Sequence, residues 1–239
     1  MVVEMSRPFV SVLTPTYNRR RFIPALIKCF KAQEYPQARM EWLILDDGTD
    51  KVKDLFDASG LTNVRYYSED SKQNIGVKRN RLNELAKGEI VVCMDDDDFY
   101  PPERVSHAVH KLTGQKGALI AGSSELFMYY TDNKSIYKIG PYNPRHATNG
   151  TMAYYRTYFD THKYDETVTH AEETSFLNKY TEPMVQLSSD RVMLVMSHTE
   201  NTFDKRKLRE GNNPMFKLTN LKMRNFIKDA GLREFYQDA

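Results

Sequence analysis

A chain of 239 residues, 40% hydrophobic and 28% charged, is long enough for one large α/β domain, alone or with an appendage. Its formal net charge of +2 is too small to argue for a nucleic-acid partner. No window approaches the ~18 to 20 apolar residues that span a bilayer, and Met1–Arg7 lacks a leader pattern, so a soluble, cytoplasmic protein is expected.

The elements follow in order. Phe9–Thr14 reads as a strand broken by Pro15, and the loop Thr16–Arg21 leads into a helix over Arg21–Gln33, with Pro24 tolerable in its first turn. Trp42–Leu45 is a buried strand ending in Asp46-Asp47-Gly48. A short helix and a strand over Asn63–Tyr67 come next, then Asn74-Ile75-Gly76 introduces a helix from Val77 to Ala86. Ile90–Met94 is an apolar run that reads as a central parallel strand, and four carboxylates, Asp95 to Asp98, follow it directly. Beyond a helix over Pro102–Leu112 the pattern becomes mixed. Strands are expected at 118–121, 125–130, 136–139, 151–156 and 191–196, with a helix over Thr169–Tyr180. Met215, Leu218, Leu221, Phe226 and Ile227 suggest an amphipathic helix in a basic tail. Cys29 and Cys93 have no metal-ligand spacing and read as buried free thiols.

Alternating strands and helices over the first ninety-eight residues imply right-handed crossovers and a parallel sheet. Three strand ends carry polar clusters, Thr14–Arg21, Asp46-Asp47 and Asp95–Asp98, which should meet at one sheet edge. Neither a GxGxxG nor a GxxxxGK[ST] segment is present. Four adjacent acids repel one another, and hard oxygen donors suit Mg²⁺ or Mn²⁺ with substrate phosphates completing the shell. The plainer alternative is a helix N-terminus ahead of Pro101-Pro102-Glu103, which accounts for one or two of the acids.

Taken together, the segments Val10–Arg19, Glu41–Thr49, Asn74–Asn80, Lys87–Asp98 and Glu172-Glu173 resemble the family-2 inverting glycosyltransferases of GT-A fold. The resemblance is strong over residues 9–107, weaker to about 204 and absent beyond; the compactness is also similar to GT-A domains of large algal viruses. A missing Gln-x-x-Arg-Trp segment separates the chain from processive synthases. The resemblance implies an α/β fold with a mostly parallel central sheet flanked by helices. A nucleotide-sugar half (1–107) and a mixed acceptor-side half (108–204) would make up domain 1–204, with a basic helical extension, 205–239, packed on it. It also implies a UDP-sugar donor bound by Pro15, Thr16, Tyr17, Arg19, Asp47, Lys78, Arg79, Asp95 and Asp96. The metal, Mn²⁺ or Mg²⁺, would sit on Asp97 and His198. Glu173 would be the base and Glu172 would stand on the side of a glycan, glycolipid or glycoprotein acceptor. Within the run, alternating side-chain direction would place Asp95 and Asp97 on one side if the loop stays extended, with Asp98 orienting the loop.

Each residue has a plainer reading. Asp46-Asp47-Gly48 is also an Asx turn, Lys78 and Arg79 are also exposed helix charges, and Glu172 and Glu173 also suit a solvated helix N-terminus. A lone histidine is more often structural. Aromatics crowding the second half (Tyr129, Tyr130, Tyr142, Tyr154, Tyr155, Tyr158) pack a core or bind sugar. Lys205–Arg209 is a solvated face, a flap over the diphosphate, or a weak contact to an anionic membrane. Two further functions compete: a two-metal phosphoryl or nucleotidyl transferase on the aspartates, and a non-catalytic nucleotide-sugar or glycan-binding module.

Overall fold

The structure is a computed structural model that describes residues 7–201, 204–209 and 213–239; the N-terminal residues read above for a leader pattern lie almost wholly outside these. Among the described residues no helix is long and apolar enough to cross a membrane.

The first half alternates as its sequence pattern requires: β1 (Val10–Thr16), α1 (Ile23–Lys31), β2 (Met40–Asp46), α2 (Lys53–Asp57), β3 (Val64–Ser68), α3 (Ile75–Leu85) and β4 (Ile90–Cys93). These strands lie side by side in the order β3-β2-β1-β4, all parallel. β1 is buried at every position and runs through Pro15. Its ladder to β4 ends at Leu13–Cys93, so the amide that proline lacks falls where pairing on that side has stopped. The apolar stripe of α1 (Ile23, Leu26, Ile27, Phe30) packs on this sheet, where Phe30 stacks on Trp42 with ring centroids 4.3 Å apart. α3 differs. Its buried side holds Lys78, Arg79, Asn80 and Asn83 beside the core residue Leu82, so it faces a polar site as well as the core.

The second half adds α4 (Arg104–Gly114), β5 (Ile120–Gly122), β6 (Leu126–Tyr130), β7 (Ser135–Ile139), β8 (Ala153–Tyr155), α5 (Glu173–Phe176), β9 (Val185–Gln186), β10 (Leu194–Ser197), β11 (Phe216–Leu218), α6 (Met223–Phe226) and α7 (Ala230–Gln237). The main sheet continues β4-β8-β5-β9, with β8 antiparallel to both neighbours. A second sheet runs β10-β6-β7-β11.

Two expectations are corrected. The helix over Thr169–Tyr180 shrinks to four residues, because Asn178, Lys179 and Tyr180 all take positive φ (45°, 55°, 61°) and turn the chain back. The tail does not form one amphipathic helix across Met215–Ile227. Phe216–Leu218 instead pairs antiparallel with β7, and a short helix follows. Residues 205–209 form a 3-10 turn. The C-terminal α7 packs inward: Phe235 meets Phe22 edge-on at 5.8 Å, and the Tyr236 hydroxyl donates to the Asp98 carbonyl at 2.9 Å.

Candidate active site

The site forms where β1, β2 and β4 end. The first two loops are tied together by Asn18, whose Oδ1 accepts from the Thr49 and Asp50 amides at 2.8 and 3.1 Å. Gly48 is needed there, since a Cβ would lie 2.7 Å from the Asn18 amide.

The aspartate run leaves β4 and bends at Asp96–Asp98, so strand alternation does not carry into it. Arg19 Nε lies 3.9 Å from Asp96 Oδ1 and 3.7 Å from Asp97 Oδ2, neighbours that an extended chain would aim apart. Asp95 turns instead to Arg79. Asp98 accepts from the Met196 amide at 2.7 Å and fastens β10 to the run. Burial, then Asp97, pushes the Asp96 carboxyl up to about 7, and burial pushes Asp98 up to about 8. At Asp97 burial opposes ionisation, yet the His198 hydrogen bond together with Lys205 and Arg19 holds it well below the usual carboxylate range. One charge in the run is therefore strongly held.

His198, at the end of β10, has no exposed side-chain surface, and its Nε2 lies 3.2 Å from Asp97 Oδ2. Its Nδ1 accepts from the Glu200 amide at 3.2 Å, and Asn201 Nδ2 lies 2.9 Å from Nε2, so Asp97 and Asn201 both bear on that nitrogen. Asn201 Nδ2 also donates to Asp97, at 3.1 Å. The donor chemistry, carboxylate with imidazole, suits Mn²⁺. Among the described residues no group of three His, Cys, Asp or Glu side chains could hold a metal, so a cation here would draw the rest of its shell from a substrate.

Lys78 and Arg79 are buried, not exposed helix charges. Lys78 Nζ donates to Asp47 Oδ1 at 2.7 Å, and the Gln73 amide donates to Oδ2 at 2.7 Å. The Asp47 side chain has no exposed surface, so an imide reaches it only by displacing Gln73 or Lys78. Tyr17 borders this pair, with Lys72 Nζ 4.5 Å and Lys78 Nζ 5.9 Å from its ring centroid. Pro15 and Thr16 are buried at the end of β1.

Arg79 joins the two acidic groups that sequence placed far apart. Its Nε donates to Glu172 Oε1 at 2.7 Å and its Nη2 to Asp95 Oδ1 at 3.0 Å. With its amide oxygen toward the guanidinium, Asn149 accepts from Nη1 at 2.5 Å and donates to the Tyr164 hydroxyl at 2.6 Å. Glu173 begins α5 beside this network; among the described residues no cation pairs with it. Burial, reinforced by Glu172, pushes its carboxyl up to about 7. α5 is bracketed by left-handed residues, Ala171 (φ 55°) before it and Asn178–Tyr180 after it, strain of a kind that gathers at functional sites.

Sequence reasoning missed Asn149, whose place ahead of Gly150 suits an ordinary turn, and Asn201. It also missed Arg104, fully buried behind β4 and donating to the Met152 carbonyl at 2.7 Å. No sequence signal marks Arg104, which looks like any exposed cation at a helix start.

The sequence profile of glycosyl transferase family 2 matches residues 11–179, well over half the chain. The chain belongs to glycosyl transferase family 2. A relative within the curated proteins is the glycosyltransferase AglE of Haloferax volcanii, 29% identical over 122 residues, covering 49% of this chain and 40% of AglE. Among solved structures, the mannosyltransferase PcManGT of Pyrobaculum calidifontis in complex with GDP-Man and Mn²⁺ superposes with a TM-score of 0.65 at 17% identity, over 82% of this chain and 59% of that one. Residues 1–349 of S. aureus TarS in complex with UDP-GlcNAc give 0.61 at 18% identity, over 80% and 59%. This family-2 chain thus spans about two fifths of AglE and three fifths of each solved chain. The likeness establishes its fold as GT-A, with the mostly parallel sheet described above.

Proposed function

We propose that the chain transfers a sugar from a UDP-sugar to a hydroxyl of a glycan, glycolipid or glycoprotein, with inversion at the anomeric carbon. The observation that carries this reading is the pairing across Arg79 of a donor-side carboxylate, Asp95, with an acceptor-side one, Glu172, next to Glu173, which pairs with no cation among the described residues. A base is useful at neutral pH when its pKa lies near 7 and it is not already committed to a cation, and Glu173 meets both conditions.

In this account the acceptor oxygen attacks the anomeric carbon, the bond to the diphosphate breaks, and Glu173 takes the acceptor proton. Asp97 and the His198 Nε2 beside it would hold a divalent cation, which would supply positive charge to offset that of the departing diphosphate. Tyr17, Thr16 and the Lys78–Asp47 pair would border the base. Arg79 would not reach the diphosphate, since its nitrogens already serve Glu172, Asp95 and Asn149. It would hold the two halves in register. Nothing in the arrangement favours a two-metal phosphoryl transferase, which wants a cluster of protein ligands.

A thermal-shift panel of UDP, CDP and GDP with and without Mn²⁺ tests the donor. A ligand at a hundred times its Kd stabilises by about 2.7 kcal/mol, so UDP with Mn²⁺ should give the largest rise in Tm. A larger rise with GDP overturns the uracil assignment, and no rise with any nucleotide overturns the transferase reading.

A further inference from the structure

Most aromatics of the second half are core: Tyr129, Tyr130, Tyr154 and Tyr158 are each at most 2% exposed. Tyr155 is partly buried, and Tyr142 is exposed, at 36%. It does not stand alone. Its ring lies 4.5 Å from that of His146, which stacks on Tyr180 at 4.7 Å with the planes 17° apart. The Tyr180 hydroxyl lies 3.1 Å from Thr174 Oγ1, one residue beyond Glu173. The three rings thus form a ladder from the surface to the helix that carries the acidic pair.

The ladder is built to stay in place. Tyr180 is the last of three consecutive non-glycine residues with positive φ, a costly conformation that presents its ring to His146. The loop bearing Tyr142 and His146 is held by backbone bonds: the Tyr142 amide donates to Ser124 O at 2.9 Å and the His146 amide to Asn143 O at 3.0 Å. Gln186 Nε2 adds a bond to the Pro144 carbonyl at 2.8 Å. Core packing does not require a solvent-edge ladder on a strained turn. Burial lowers the His146 pKa, so the ladder is uncharged at neutral pH and does not recommend itself to an anion.

The geometry points to a pyranose-binding subsite on the Tyr142–His146–Tyr180 ladder, which receives a sugar of the acceptor chain and feeds its terminal hydroxyl toward Glu173. This rests on the transferase reading above and names the acceptor class: a glycan whose sugars offer a flat C–H face. Weakly positive C–H groups lie well on the negative face of an aromatic ring, and rigid tyrosines lose little entropy on binding. Two ring spacings separate Tyr142 from Tyr180, so Tyr142 serves a sugar set back from the reacting hydroxyl and affects acceptor affinity, not the chemical step.

Saturation-transfer NMR on the full chain tests this with methyl β-D-glucopyranoside, methyl α-D-mannopyranoside and methyl N-acetyl-β-D-glucosaminide, and with sorbitol as an acyclic control. At least one pyranoside should be saturated and sorbitol should not. Tyr142→Ala should weaken the saturated pyranoside about fivefold, while Tyr142→Phe, which keeps the ring, should retain it. UDP binding by calorimetry should be the same in all three proteins. Saturation of no pyranoside, equal saturation of sorbitol, or a Tyr142→Ala protein that binds like wild type overturns the subsite. If UDP binds and no pyranoside does, the subsite alone falls. If pyranosides bind through Tyr142 and UDP does not bind, the transferase reading falls and the sugar site stands.

Discussion

Arg79 on α3 and Glu172 at the start of α5 are ninety-three residues apart in sequence and 2.7 Å apart in space. The same guanidinium reaches Asp95, so one buried cation fixes the distance between the donor-side acids and the acceptor-side helix. Arginine suits this place, because its planar fork serves several acceptors at once and its charge is not lost on burial.

Replacing Arg79 by Met should therefore leave two carboxylates facing each other without a cation. Breaking a buried pair from one side costs about 3 to 5 kcal/mol, and denaturant unfolding should show a loss of that order. Arg79→Lys should recover part of the stability, because the charge stays and the fork is lost. A loss below about 1 kcal/mol for Arg79→Met would show that the network contributes little.

The raised pKa of Glu173 predicts a pH profile. Only the ionised carboxylate can take a proton, so kcat/KM should fall about tenfold per unit below about 7 and level off above it. Burial is the main cause and Glu172 the second, so Glu172→Gln should move the midpoint down without returning it to the ordinary carboxylate range. The sign for stability is opposite to that of a salt-bridged acid. A folded-state pKa above the unfolded one means that ionisation opposes folding, so stability falls as pH rises from about 4.5 through about 7. Glu173→Gln should then raise Tm at pH 8 and change it little at pH 4. An equal shift at both would remove the titration from the explanation.

At the base pocket, Asp47→Ala should erase most of a preference for UDP over CDP, if an imide displaces Gln73 to reach it. The same change strands the Lys78 ammonium, which is 7% exposed, so part of any loss reflects an unpaired cation. Lys78→Met alongside separates the two: loss of base preference in Asp47→Ala only assigns the reading to Asp47. Equal calorimetric affinities for UDP and CDP in the wild type would take Asp47 out of recognition.

The cation assignment predicts that Mn²⁺ strengthens UDP binding in the wild type and not in Asp97→Ala, by calorimetry with EDTA as the reference. His198→Gln should weaken the Mn²⁺ effect, because the ring lies on the Asp97 carboxylate. Wild-type UDP binding that ignores the metal would contradict it.

The nucleotide-side half of the fold was legible because its strands are short apolar runs bounded by polar ends, and α1 has a clear apolar stripe. The run at 95–98 announced a site for the same reason: no core explains four acids. Its internal geometry was not legible, since the bend at Asp96–Asp98 is set by Met196, His198 and Arg19, which come from other parts of the chain. Arg79 and Lys78 could be read as phosphate ligands or as helix-surface charges, because sequence shows their spacing and not the acids that bury them. The helix at 169–180 misled through Phe176, Leu177 and Tyr180, whose spacing suits one helical face. Phe176 and Leu177 are buried in the core, but Tyr180 belongs to His146. The tail misled similarly, its apolar residues being shared between a strand edge, one short helix and the segments beside them.

The most direct measurement compares Glu173→Gln with wild type in two assays on the same samples: UDP affinity by calorimetry with Mn²⁺, and sugar transfer at saturating donor. General base catalysis contributes typically ~10² to 10⁴ in rate. Transfer should therefore fall by about that factor while UDP affinity stays within about twofold, since the residue acts on the acceptor. Near wild-type transfer by Glu173→Gln, with Glu172→Gln inactive, would contradict the assignment of the base to Glu173.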